Sequence, residues 1–580
     1  MPVRHWRLAP LLLLALLPLQ LWAQPVIEVE IEGVDNKLKS NILLFLSIEQ
    51  QKTHPLMSDG RIRRLHNKAN GEIAAALQPY GYYRSQVNSS LTQRDDGVWL
   101  ALYQVDPGPG IRITDFKLDV NGPLQQDPGL QTLVESAAPV PGTVLVHSAY
   151  DAFKSRLSGL ASERGYAEAR FTDARLEVDL NAYEAHIFLG IDSGPRYRFG
   201  EVRLTQDVLD DELLQRYFPF QTGDPYNLNQ VIALQQALND SNFFQVVEIS
   251  PGAPLRDTRE IPIDVTLTPR KRHRYDFGVG YGTDTGARAR FGWRMPRVNR
   301  SGHRIDSSVE VSEIGYDVRA NYRVPVLNPR TDQLVYTVSK EKEDTDTNES
   351  VLSSIGVSLN HNRGEWRETL ALNYQLESFT VADTSGDSAL LIPSVAWSRI
   401  WGNDFINALD GLRFDIGVLG GSEQLFSDTD FLQLRGGLKF IYSFSPNNRV
   451  LMRGSFGTTE TPDFDQLPSS IRFFAGGSQS VRGYAYESLG PTDENGNVVG
   501  GKNLLTGSVE FEHYFHSKWG VAVFLDAGNA IDDLKDELEQ GAGFGVRWKS
   551  PVGPVRVDLA NAISTEDQGW RLHISIGPDL

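Results

Sequence analysis

From Arg274 to Gly577 the chain keeps one rhythm, segments of roughly 8 to 12 residues in which apolar and polar side chains alternate. In Arg274–Gly282, Tyr275, Phe277, Val279 and Tyr281 share one face, while Arg274, Asp276, Gly278 and Gly280 share the other. Near the end, Val555, Val557 and Leu559 oppose Arg556 and Asp558, and Leu572, Ile574 and Ile576 oppose Arg571, His573 and Ser575. A period of two is that of a β-strand with one wet and one apolar face. About sixteen such segments fit into roughly 300 residues, and Tyr and Trp gather at their ends, as membrane interfaces favour. Only a closed sheet satisfies every backbone donor inside a bilayer. The expected fold of residues 269–580 is therefore an all-β transmembrane barrel of about 16 antiparallel strands, with a soluble β-sandwich as the alternative.

A membrane barrel must first be exported. Arg4, His5 and Arg7 precede an apolar stretch, Leu8 to Leu21, that is too short to span a bilayer as a mature helix. Residues 1–23 read as a cleavable signal peptide, cut after Ala23, and no cysteine follows to take a lipid. After residue 23 there is no apolar run of about 18 residues, so no spanning helix is expected. The mean hydropathy of −0.31 is compatible with a barrel, whose apolar residues are hidden in alternation. A net charge of −18 repels phosphate backbones and argues against nucleic acid as a partner. The absence of cysteine removes disulfides, thiolate metal sites and cysteine nucleophiles together.

Residues 24 to about 268 change to mixed α and β patterning. In Arg61–Leu77 the residues Ile62, Leu65, Ala69, Ile73, Ala76 and Leu77 fall on one helical face. This half repeats itself. Gly81-Tyr82-Tyr83, Gly165-Tyr166-Ala167 and Asn242-Phe243-Phe244 each follow a helix and lead into two strands. Three tandem α+β domains of β-α-α-β-β type are expected, at 24–106, 107–193 and 194–268.

One stretch breaks the barrel rhythm. Between Thr458 and Lys502 lies a connection of about 45 residues, far longer than a hairpin loop. It contains Gly476-Gly477 and Val481-Arg482-Gly483-Tyr484, then Gly490-Pro491. Its glycines permit tight bends, so the loop can fold into the lumen. A buried Arg482 would then need a carboxylate on the wall. Strand alternation points Asp526 and Glu510 inward, within Phe524-Leu525-Asp526-Ala527-Gly528 and Ser508-Val509-Glu510.

Taken together, the glycine pair, Val481-Arg482-Gly483-Tyr484, Glu510 and the Phe524, Asp526 and Gly528 pattern resemble the signature of the BamA/TamA superfamily of outer-membrane assembly factors. In that superfamily the arginine of an inward loop contacts acidic residues on the barrel wall, which implies a lock of Arg482 with Asp526 and Glu510. The N-terminal repeats resemble POTRA domains, which in that family receive polypeptides by strand addition. Three of them point to the TamA branch, since BamA proteins carry more and two-partner secretion transporters fewer. The resemblance implies a cell outer-membrane location with the N-terminal domains in the periplasm. It implies assembly of unfolded outer-membrane clients, autotransporters among them, and a TamB-like partner anchored in the inner membrane. It implies no cofactor.

The expected mechanism starts at a lateral seam, where Arg274–Gly282 must pair with Gly569–Gly577 to close the barrel. Gly278, Gly280 and Gly282 leave that pairing poor in side-chain packing. Cysteines at the middle of the first strand, near Val279, and of the last, near Ile574, are expected to crosslink, with the register of the two strands left open and Gly577 closing the last strand. The rival functions are a two-partner secretion transporter for a dedicated client and a passive porin or receptor. No enzyme is expected. His513 and His516 complete no metal motif, and no serine has a nucleophile's neighbours. The basic run Arg270–Arg274 reads either as a solvated linker or as a contact with lipid phosphates.

Overall fold

The computed structural model describes residues 26–402, 404, 406–550, 553–565 and 569–577. The signal peptide expected at 1–23 lies outside the described residues.

In the first N-terminal sheet the strand Trp99–Asp106 is central, parallel to Ile27–Glu32 and antiparallel to Gln86–Gln93. Its alternate residues Trp99, Ala101, Tyr103 and Val105 are buried. They pack in one core with the apolar face of the helix Asp59–Leu77, where Ile62, Leu65, Ala69, Ile73, Ala76 and Leu77 are the buried positions. The second sheet repeats the plan around Glu184–Asp192, between Arg112–Asn121 and Arg170–Asp179, with a separate core that includes Phe153, Leu157, Ile187 and Leu189. A third sheet has the same order, with Glu260–Pro269 between Arg198–Thr205 and Phe244–Pro251.

The repeated tripeptides have one physical cause. Gly81, Gly165 and Asn242 have φ of 84°, 82° and 60°, each where a helix ends. The following residue then bonds back across the last turn, Tyr82 N–H to the Leu77 carbonyl (3.3 Å) and Tyr166 N–H to the Ala161 carbonyl (2.9 Å). At Gly165 space is short as well, since a Cβ would stand 2.8 Å from Cβ of Tyr226. Gly165→Ala should therefore cost about 1–3 kcal/mol. The check is hydrogen exchange in the full chain, where the amides of Glu184–Asp192 should exchange about tenfold faster or more. Unchanged protection would show that the turn tolerates a side chain.

Sixteen antiparallel strands bond in chain order from Arg274–Gly282 to Arg571–Ile576. The thirteenth, Trp519–Ile531, shows the division of faces. Val521, Val523 and Leu525 point outward and are half exposed, while Ala522, Phe524 and Asp526 are buried inside. Such an outward apolar band is stable only against lipid. No helix among the described residues is long and apolar enough to cross a membrane.

The seam differs from the sequence-based expectation. Among the described residues no ladder joins the first strand to the last. Thr283, one residue past the first strand, carries the bonds instead. Ile574 N–H donates to its Oγ1 (2.6 Å), and its own N–H reaches the Ile574 carbonyl at 3.4 Å. Ile574 thus meets Thr283 and not Val279. The last strand runs Arg571–Ile576, shorter than Gly569–Gly577, and Gly577 N–H donates to Pro554 of the fifteenth strand, Gly553–Ala562, at 3.3 Å. The physical reason is weak pairing from both sides. A six-residue strand offers few bonds, and Gly278, Gly280 and Gly282 offer it no side chains to pack against.

Candidate functional site

The segment between the eleventh strand, Asn448–Glu460, and the twelfth, Asn503–Tyr514, makes its bends at Gly476, Gly477 and Gly483, with φ of 102°, 96° and 102°. Only glycine occupies this region without strain. Val481 and Tyr484 are buried in a small cluster with Ala475, Leu489 and Ala562. The apolar residues anchor the loop, and Arg482 between them is carried against the wall.

Arg482 is 3% exposed and uses most of its donors on that wall. Its Nε and Nη2 donate to the two oxygens of Asp526 (2.7 and 2.8 Å), a bidentate fork, and its backbone N–H adds a third bond at 3.0 Å. Nη1 donates to Glu510 (2.7 Å) and Asp558 (3.0 Å), and Nη2 to the Ser508 hydroxyl (3.1 Å). The guanidinium lies 3.4 Å from the centre of the Phe524 ring. The loop comes this close because the fourteenth strand, Glu539–Ser550, is bare at Gly541. A Cβ there would stand 1.8 Å from the Arg482 carbonyl oxygen.

The cluster is larger than its sequence signature. Arg547 is 1% exposed and bonds Glu510 (2.6 Å), Glu512 (3.1 Å) and Asp558. Arg449 pairs with Glu512, and Arg453 stands 3.6 Å from Asp526. Arg449, Arg453, Arg482 and Arg547 thus face Glu510, Glu512, Asp526 and Asp558, and each of these carboxylates has a guanidinium partner. Buried charge is tolerable only on these terms. Asp558 stands in the sequence opposite the apolar face of its strand, and Glu512, two residues past Glu510, shares the inward face of Glu510. Arg547 had no signal beyond its place in a strand, Gly541 to Lys549, that alternates glycine with larger residues.

The same loop ties both sides of the seam. Ser478 N–H donates to Asp284, in the turn after the first strand (3.0 Å), and Gly483 N–H donates to Nε2 of His573 on the last strand (3.0 Å). Farther round the wall, Ser469 donates to Glu377 (2.7 Å) and Tyr486 to Glu343 (3.2 Å). Of the motif glycines, Gly528 belongs to the wall, where a Cβ would stand 2.6 Å from the Leu505 carbonyl oxygen. Gly278, Gly280, Gly282, Ile574 and Gly577 belong to the seam and not to the arginine cluster. Arg270 and Arg274 line a cavity of about 620 Å³ with Arg294, Arg304 and Arg323 of the barrel wall.

Comparison with known proteins agrees with this architecture. Residues 273–579 match the family model of the Omp85 superfamily domain. Residues 28–107 match a POTRA model described as TamA domain 1, and 197–270 a POTRA model described as a surface antigen variable number repeat. An outer membrane protein assembly factor BamA of Nitratidesulfovibrio vulgaris is 23% identical over 63% of this chain and 49% of its own length. One of Neisseria meningitidis serogroup B is 21% identical over 87% of this chain and 72% of its own. The chain spans only 49% and 55% of the length of two of the curated relatives it matches. Among solved structures, BamA from Haemophilus ducreyi lacking POTRA domains 1–3 shares the fold, with a TM-score of 0.65 at 18% identity, covering 80% of this chain and 98% of that one. The protein is an outer-membrane β-barrel with N-terminal periplasmic POTRA domains, and with more than half of its residues inside the matched domain it belongs to the Omp85 superfamily.

Proposed function

We propose that this chain is an assembly factor of the TamA type, which helps to insert or translocate unfolded outer-membrane proteins, autotransporters among them. One observation carries the reading. Among the described residues the two ends of the sheet are joined by no ladder and bond through Thr283 and Ile574, which leaves the edge of Arg274–Gly282 without a paired strand. An unpaired edge is a template for another strand. A client strand adds there, and the barrel wall supplies the register for the next. The arginine cluster holds the loop in the lumen while the seam opens, which favours this reading over that of a passive porin. The match of residues 28–107 to a TamA-type POTRA model supports a docking role for the first domain toward a TamB-like periplasmic partner.

The test removes residues 24–106 and keeps the signal peptide. The first domain has its own core, so the remaining domains and the barrel should fold and reach the outer membrane at near-normal levels. Capture of the partner in a pull-down should be lost, and client assembly with it. A truncated chain that shows normal heat-modifiability and still captures the partner fully would refute the docking role.

A further inference from the structure

The lumen side of the first strand is nearly bare. At Gly278 no heavy atom lies within 4 Å of where a Cβ would stand, and at Gly280 that place is approached by Arg288 of the second strand, Gly286–Met295, with Nε 3.1 Å away. The register explains this, since Gly280 pairs with Arg288 and Gly278 with Arg290. Gly278, Gly280, Arg288 and Arg290 line a cavity of about 280 Å³ at the seam, together with Glu310 of the third strand, Arg304–Ser312, and Ile576 of the last. Among the described residues the Arg288 side chain has no ion pair or hydrogen bond. The carboxylate paired with Arg290, Glu310, stands 3.9 Å off, and Arg290 is 58% exposed. By contrast Asp276 on the same face is taken by Arg294 at 3.1 Å. The lumen positions of the last strand, Arg571, His573 and Ser575, bring no acid to this cavity.

We propose that the seam cavity selects incoming strands by charge, with Arg288 and Arg290 receiving a carboxylate side chain on the lumen face of a polypeptide strand added to Arg274–Gly282. This rests on the strand-addition reading and names the kind of strand it takes. An added strand lies one spacing beyond the first, so its side chains stand about 10 Å from the second strand. An arginine and a glutamate together cover that distance, provided nothing stands between them. Glycine at 278 and 280 keeps the way clear. The guanidinium fork then binds the carboxylate, and a lysine in the same place meets like charge.

The test uses the full chain in detergent micelles with a photoreactive residue in place of the outward-facing Val279. The probes are two synthetic 12-residue peptides of alternating apolar and polar residues, identical except for two glutamates or two lysines on the polar face. The glutamate peptide should be captured at about tenfold lower concentration. In the double variant Arg288→Glu and Arg290→Glu the preference should reverse. Equal half-saturation of the two peptides in the otherwise unaltered chain would overturn charge selection and leave strand addition standing. Capture of neither would overturn strand addition, and this inference with it.

Discussion

Arg482→Ala should destabilise the barrel by about 3–5 kcal/mol, because it breaks a buried ion pair from one side only. Asp526, fully buried, would keep Arg453 at 3.6 Å and the Ser508 hydroxyl but lose its bidentate partner. Glu510 and Asp558 would keep Arg547, so the loss should centre on Asp526. Asp526→Ala should impair the same property, and the double variant should be little worse than either single one. Arg482→Lys should rescue poorly, since an ammonium cannot hold two oxygens of Asp526 while reaching Glu510 and Asp558. Denaturant midpoints in detergent, read by heat-modifiability, check stability, and a client-assembly assay checks function. Fully additive losses from Arg482→Ala and Asp526→Ala would show that the pair does not act as a unit.

The cluster also shows what was legible in the sequence. Arg482 and Asp526 could be matched because one sits between bend residues in an overlong loop and the other on the wet face of an apolar strand. Arg547 escaped because an inward arginine on a strand is ordinary in a wet lumen. Its carboxylates stand on the twelfth and fifteenth strands, and the periodicity of one strand cannot show which charges the closing of the wall brings together. The N-terminal repeats were readable for a local reason, the left-handed residue that ends each helix at Gly81, Gly165 and Asn242. The seam was half readable. Glycines at 278, 280 and 282 announced weak pairing, but the register depends on how the sheet closes and was left open by the alternation; the partner of Ile574 is Thr283.

The seam is also where the largest functional effect is expected. The chain has no cysteine, so Thr283→Cys with Ile574→Cys creates a single pair with nothing else to mispair. Thr283 Oγ1 accepts from the Ile574 N–H, which places the two residues as direct neighbours. Bridging them with a short dithiol crosslinker should leave the barrel folded, since every other strand pair is untouched. It should hold the first and last strands together and close the edge to clients.

The most direct measurement is client assembly by this double-cysteine chain, with and without the bridge, in the same membranes. The account predicts that assembly falls at least about tenfold when the bridge is complete, an opening cost raised by about 1.4 kcal/mol or more. It also predicts recovery when a cleavable bridge is cut. Assembly at the unbridged rate, with the seam quantitatively crosslinked and the barrel folded, would contradict it.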